Sequence, residues 1–254
     1  MILFFLILMR MSGFVFLNPV FGRRNIPAML KTGLTLGLSI IVYSTAQAQG
    51  VTVDIDPDSS LVFGFSLLKE FAVGYLFGFV MILFDMVMTY AGTVMDFQIG
   101  ISMAMVYDPQ TGSQVALSGN ILQIFYLLLF FAVDGHLALI KIVATSGDVV
   151  PYGAAAFSQG AAWMVMDIFA QCVVLAMKLA FPLIAFEFIM QIGVGILTKI
   201  TPQINLFVLS IQLRLVVGFV LLVFLVSPIG SFMGNVITTM VSSLEDVLRV
   251  MAAG

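Results

Sequence analysis

The sequence predicts an all-α, membrane-associated protein, and two observations carry this prediction. Of its 254 residues, 61% are hydrophobic and only 9% are charged, and the mean hydropathy is +1.17. Soluble domains carry about 25% charged residues, so this chain has too few charges to cover a soluble surface. Its apolar runs at 61–105 and 154–198 also exceed the roughly 20 residues that span a bilayer, which predicts helices that tilt, bend or leave the membrane. We therefore expect one bundle over residues 1–254 that lies in a membrane, in a larger assembly, or in both.

Interruptions of the apolar pattern predict about six long, bent helices followed by a C-terminal amphipathic helix. Pro182 is expected to kink the helix that contains it. Ser227, Pro228 and Gly230 are expected to end the last long helix before the tail. The expected helices are residues 1–17, 32–49, 61–105, 121–145, 154–198 and 206–226, with the tail at 236–251.

The tail is predicted to be amphipathic, with apolar residues recurring on one helical face and polar residues on the other. The apolar residues are Ile237, Met240, Val241, Leu244, Leu248 and Met251. The polar residues are Thr239, Ser242, Ser243, Asp246 and Arg249. Because the polar face is not basic, we expect the tail to pack on a partner rather than on a membrane surface.

A non-helical stretch is predicted in the middle of the chain, between two apolar helices. Pro109 lacks a backbone N–H and pushes Asp108 out of the helical region. Gly112 and Gly119 permit backbone angles that other residues resist. In lipid, such backbone is tolerated only where it is buried in protein or lines an aqueous path. We therefore expect this segment to be a gate or a lumen-facing element.

Charged residues are scattered singly over the apolar helices. Asp85 and Asp96 are about three helical turns apart, so they share a face but are too distant to work as a carboxylate pair. One interpretation is that each charge meets a partner on a neighbouring helix or subunit. The alternative is a proton relay in a proton-coupled secondary transporter. The candidate residues are Asp85, Asp96, Asp134, Asp167, Lys178, Glu187 and Arg214.

The residues that enzymes and metalloproteins require are scarce. The chain has one histidine, His136, and one cysteine, Cys172, which cannot form a multi-histidine metal site. Asp134 and His136 are two residues apart and would not face each other on a helix. A net charge of −3 without a basic run gives no indication of nucleic-acid binding. We expect no catalytic residues, no metal and no cofactor.

Five stretches resemble the FliR family of flagellar biosynthesis proteins and its injectisome counterpart, SctT. They occur in the family's order and cover nearly the whole chain. The stretches are N-P-V-F-G-R-R-N-I-P-A-M-L-K at 18–31, A-G-T-V-M-D-F-Q-I-G-I-S-M-A at 91–104, D-P-Q-T-G at 108–112, L-F-F-A-V-D-G-H-L-A-L-I at 129–140, and G-I-L-T-K-I-T-P-Q-I-N-L-F-V-L-S at 195–210.

The resemblance implies a subunit of the type III protein export gate, without catalytic activity of its own. In that family the protein forms a pore-bearing, hetero-oligomeric helical assembly with several copies of FliP-like and FliQ-like membrane subunits, and an FlhB-like subunit is a further expected partner. Unfolded flagellar subunits pass through the pore, at the flagellar basal body in the bacterial cytoplasmic membrane. The alternative within the family is an injectisome gate for effector secretion.

The resemblance also implies a pore plug, a loop that closes the pore at rest, here between N-terminal helices at 1–101 and C-terminal helices at 120–254. The matching loop is 102–119. Relatives carry phenylalanines in it, whereas this chain has methionine, valine and tyrosine, which keep the bulk and apolarity that let a constriction exclude water. The expected plug residues are Met103, Met105, Val106, Tyr107, Asp108, Pro109 and Gly112.

Overall fold

The computed structural model describes residues 1–53, 60–101, 106–108, 113–155, 159–200 and 206–252. Within these ranges the chain is all-α, as predicted, apart from two short strands. The helices are α1 (Ile2–Leu17), α2 (Ala28–Ala48), α3 (Ser60–Ile99), α4 (Leu117–Ala132), α5 (Gly135–Val149), α6 (Gln159–Ile200) and α7 (Leu206–Ala252). The strands β1 (Val106–Asp108) and β2 (Ser113–Val115) lie between α3 and α4 and pair with each other in antiparallel orientation.

Several helices have the length and apolarity of membrane spans. In the described part of the chain, four pass this test: Ala28–Ala48, Leu61–Ile99, Gln159–Ile200 and Ser210–Ala252. A fifth candidate is the pair α4 and α5, which is bent by 68° at its break. A span needs about 20 residues, so the three longest helices have to tilt or extend beyond a bilayer.

The prediction that one helix continues from residue 121 to about 145 is wrong. The chain leaves α4 at Val133, and Asp134 adopts a left-handed backbone conformation with φ of 57°. Aspartate enters this region more readily than most residues. Gly135 then begins α5 in a new direction.

The expected break at Ser227, Pro228 and Gly230 is also wrong, because α7 is one helix that runs through all three residues. A proline removes one backbone donor and can bend a helix without ending it. Ile229 and Met233 remain buried just beyond it, so packing favours continuation of the same helix. α6 likewise continues through Pro182, where the expected kink stays a prediction.

The amphipathic tail is the last part of α7, and its apolar face is buried within the chain rather than left for a partner. Leu244 and Leu248 are 1% and 4% exposed, and Leu248 shares a small cavity with Ile142 of α5. Ser243, expected on the polar face, is buried as well. A serine is small enough to fit on a packed helical face, so the buried stripe is wider than the sequence pattern indicated.

The chain forms two compact units. One contains Met1–Phe84, Asp134–Ala170 and Ile237–Gly254, and the other contains Asp85–Val133 and Gln171–Val236. We call them unit 1 and unit 2. Each of α3, α6 and α7 contributes one part to each unit.

Helix α1 is a central element of unit 1. Leu6, Ile7, Met11 and Phe14 are completely buried. A side chain on Gly74 of α3 would clash with the carbonyl oxygen of residue 10, so only glycine permits this approach of α1 and α3. This explains how a short apolar helix is held firmly although it is too short to span a membrane.

A completely buried ion pair joins α1 and α3 within unit 1. Arg10 Nε donates to Glu70 Oε2 at 2.6 Å, and both side chains are 0% exposed. Arg10 Nη1 donates to Ser146 Oγ at 3.1 Å, and Nη2 donates to the carbonyl oxygen of Val150 at 3.0 Å. The other oxygen of Glu70 accepts the N–H of Gly153 at 2.8 Å. The pair therefore ties α1 and α3 to α5 and to the turn after it.

The ring of Tyr152 completes the surroundings of this ion pair, with its centroid 4.3 Å from Arg10 Cζ. Burial raises the pKa of the Tyr152 phenol to about 12, although the nearby guanidinium acts in the opposite direction. The phenol is therefore neutral at physiological pH and does not balance the charge of Arg10, whose direct ion-pair partner is Glu70.

We predict that Glu70→Gln destabilises the fold strongly, by roughly 3–5 kcal/mol, because it leaves the guanidinium of Arg10 charged and uncompensated in the interior. Replacing both partners, as in R10M/E70M, should cost less than the sum of the two single substitutions. The measurement is the thermal unfolding midpoint in mild detergent, with Lys69→Met, one residue away, as the control. A Glu70→Gln midpoint equal to that of Lys69→Met would contradict the prediction.

Candidate functional site

The connection between α3 and α4 is the candidate functional site, and it begins where the sequence predicted non-helical backbone. α3 ends at Ile99, and Gly100 adopts a positive φ of 87° that only glycine tolerates readily. Beyond it, β1 and β2 form a hairpin that pairs Val106 with Val115 and Asp108 with Ser113. The structure thus has strand backbone between α3, which is of membrane length, and the shorter apolar helix α4.

The expected plug residues fall into two groups. Val106, Tyr107 and Asp108 form β1. Met103, Met105, Pro109 and Gly112 lie outside the described residues. Gly119, expected to serve a loop, lies instead in the first turn of α4.

Gly119 has a different role from the one expected, because it lies at a close crossing of α3 and α4 in unit 2. A side chain on Gly92 would clash with the backbone of Gly119, and a Cβ on Gly119 would lie 3.0 Å from the carbonyl oxygen of Thr89. Glycine at both positions lets the two helix backbones touch. The crossing thus holds together the two helices that the hairpin connection links.

Asp96 lies one helical turn beyond Gly92, so the crossing directs its side chain at the start of α4. Both carboxylate oxygens accept the N–H of Ser118, at 3.3 and 3.2 Å, and Asp96 is only 1% exposed. The N-cap residue of α4, Ala116, provides no side-chain hydrogen bond. Asp96 therefore supplies the cap from a different helix, with its negative charge at the positive end of the α4 dipole.

Asp85, three turns earlier on α3, also faces α4. Its Oδ2 accepts a hydrogen bond from Gln123 Nε2 at 2.6 Å. The two aspartates that the sequence placed on one face of α3 thus both bond to α4 within unit 2. These hydrogen bonds hold α3 and α4 together.

The other candidate charges are not brought to this site. Asp134, Asp167 and Lys178 are exposed. Glu187 on α6 is completely buried, and neither carboxylate oxygen has a hydrogen-bond partner among the described residues. The charge of Arg214, on α7, acts on Glu187, and Arg214 also lines a cavity of about 340 Å³.

An apolar groove runs between α4 and α7 in unit 2, with a volume of about 370 Å³. Ile121 and Phe125 line one side, and Phe219 and Val223 line the other. All four side chains are substantially exposed. Such a surface is stable only when lipid or another protein covers it.

The described residues contain no group of three or more histidine, cysteine, aspartate or glutamate residues that could hold a metal ion. Cys172 is buried in α6, far along the chain from His136 in α5. The buried ion pair of Arg10 and Glu70 in unit 1 was missed by the sequence analysis. Its only signal was a single arginine in α1 and several acidic residues in α3, which do not indicate the partner.

Comparison with known proteins places these features in a family. The model of "Bacterial export proteins, family 1" matches residues 1–240. The flagellar biosynthetic protein FliR of Bacillus subtilis is 29% identical over 97% of this chain and 95% of its own length. FliR of Escherichia coli is 24% identical over 97% and 92%, and the Yop proteins translocation protein T of Yersinia pestis is 27% identical over 84% and 81%. The chain therefore belongs to family 1 of the bacterial export proteins.

Proposed function

We propose that this chain is a subunit of the type III protein export apparatus in the bacterial cytoplasmic membrane, at the flagellar basal body. Relatives named for flagellar biosynthesis and for Yop translocation support the export assignment. The FliR proteins of Bacillus subtilis and Escherichia coli each match 97% of this chain, against 84% for the Yop translocation protein, which favours the flagellar system over an injectisome. No catalytic step is part of the proposal.

The observation that carries the proposal is a hairpin between α3, which is long enough to span a membrane, and α4, which is apolar enough and long enough only together with α5. Strand backbone at membrane depth is tolerated only where protein or water surrounds it. We place the plug in residues 102–116 of the expected 102–119 loop, because residues 117–119 belong to α4, and a plug that closes a protein-lined pore meets this requirement. In this proposal the plug moves aside when an unfolded export substrate arrives, and the energy for transport comes from another component.

Exposed apolar surface supports assembly with other membrane subunits. Large apolar side chains such as Phe181, Phe188, Phe219 and Phe224 are at least half exposed on α6 and α7. Both helices are longer than a bilayer requires, so lipid alone cannot cover them. FliP-like and FliQ-like subunits, together with an FlhB-like subunit, are the proposed partners and form the pore with this chain.

We expect replacement of residues 103–112 by a short glycine–serine linker to open the resting pore to small ions, because the apolar barrier to water and ions is removed. The measurement is single-channel conductance of the purified complex in planar bilayers. The control is a glycine–serine replacement of residues 54–58, in another connection of the chain. Equal conductance in the two replacement variants would contradict the plug.

We expect native mass spectrometry of the tagged chain, purified in mild detergent from cells that express its neighbouring membrane proteins, to show one large complex. It should hold a single copy of this chain with several copies of two smaller membrane proteins, because its apolar faces need protein cover. A lone chain, or a homodimer that exchanges protons, would contradict the proposal and favour a transporter.

A further inference from the structure

Both ends of the connection between α3 and α4 are held by one residue. The carbonyl oxygen of Asp96 accepts the N–H of Gly100 at 2.9 Å, at the point where α3 ends. The carboxylate of the same residue accepts the N–H of Ser118, in the first turn of α4. The two helix ends that bound the connection, at Gly100 and at Ser118, are therefore both hydrogen-bonded to Asp96.

The surroundings of Asp96 fix its position. The crossing of Gly92 and Gly119 lies one turn away and sets the distance between the two helix backbones. Ile99 is completely buried, and a side chain on Gly218 of α7 would clash with it, so α7 packs closely on the end of α3. The carboxylate thus reaches α4 from a rigid element.

We infer that Asp96 is a positioning residue that joins the last turn of α3 to the first turn of α4, and so fixes the two helix ends between which the connection runs. The consequence for pore closure rests on the proposed plug. The role of Asp96 in joining the two helices does not depend on the plug, since it follows from the hydrogen bonds themselves.

The chemistry of the cap explains why an aspartate is needed. Without its carboxylate, the N–H of Ser118 would remain buried and without an acceptor, since Ser118 is only 6% exposed and Ala116 offers none. The first turn of α4 would then unwind more often, and the return end of the segment would lose its fixed direction. Asparagine keeps one oxygen acceptor but loses the charge that favours a helix N-terminus.

Asp85 provides a matched control, because it is a carboxylate on the same helix that also bonds to α4. Its partner is the side chain of Gln123, in the middle of α4 rather than at the end where the segment returns. Asp85→Ala therefore removes a bond between the same two helices without releasing either end of the connection.

The experiment compares Asp96→Ala, Asp96→Asn and Asp85→Ala in the complete complex by hydrogen–deuterium exchange and by resting conductance. We expect exchange in the first turn of α4 to be roughly tenfold faster or more in Asp96→Ala, which loses hydrogen bonds to a charged acceptor. Asp96→Asn should show a smaller increase, and Asp85→Ala should show none there. Conductance at rest should rise in the same order. If Asp96→Ala fails to assemble, the asparagine variant carries the comparison.

Unchanged exchange in the Asp96 variants, or an equal increase in Asp85→Ala, would overturn the inference. Faster exchange without a leak, in a complex where the glycine–serine replacement of 103–112 does leak, would also overturn it, because Asp96 would then be only a helix cap. If exchange is faster in Asp96→Ala but neither Asp96→Ala nor the glycine–serine replacement of 103–112 leaks, the result would contradict the plug and support the local role of Asp96.

Discussion

The fold depends on satisfying buried polar groups within a chain that has very few of them. Only 9% of its residues are charged, so each charge that enters the interior has few opposite charges to meet. An unpaired buried charge costs several kcal/mol, while a paired and fully hydrogen-bonded one can be tolerated. Arg10 and Glu70 meet this requirement completely, since the hydrogen bonds around them involve α1, α3, α5 and the following turn. Asp96 meets it differently, by accepting a backbone N–H that has no acceptor in its own helix.

Glycines make both arrangements possible. Gly74 lets α1 approach α3 within unit 1, and Gly92 lets α3 approach α4 within unit 2. In each case the buried carboxylate lies on α3, one turn from the glycine: Glu70 is four residues from Gly74, and Asp96 is four residues from Gly92. Close packing of backbones shortens the distance that a polar side chain has to cover. The glycines therefore bring the apolar helices close enough for the few buried charges to form hydrogen bonds between them.

The sequence predicted the helices and the non-helical segment well, because apolar length and the Asp108–Pro109 pair are local signals. The sequence-based prediction failed where tertiary packing determines the end of a helix or the partner of a charge. Pro228 is a helix breaker by local rules, but burial of Ile229 and Met233 keeps α7 continuous. The pairing of Arg10 with Glu70 spans sixty positions of sequence, and no local pattern indicates which opposite charge is the partner. The capping role of Asp96 was equally hidden, since Ala116 gives no sign that its helix is capped from elsewhere.

Glu187 differs from the other buried carboxylates, and the difference bears on assembly. Both of its oxygens lack a hydrogen-bond partner within the described residues, as does Arg214 Nε. Around them, α6 and α7 expose large apolar side chains over lengths that exceed a bilayer. A surface of this kind is not stable beside water, and the charges within it are not satisfied as those of unit 1 are. A partner helix that covers the apolar faces removes them from water. The same helix can supply a polar group that bonds to Glu187 or Arg214. Among the described residues, Glu187 and Arg214 are therefore buried charged groups whose hydrogen bonds a polar side chain of a covering helix would complete.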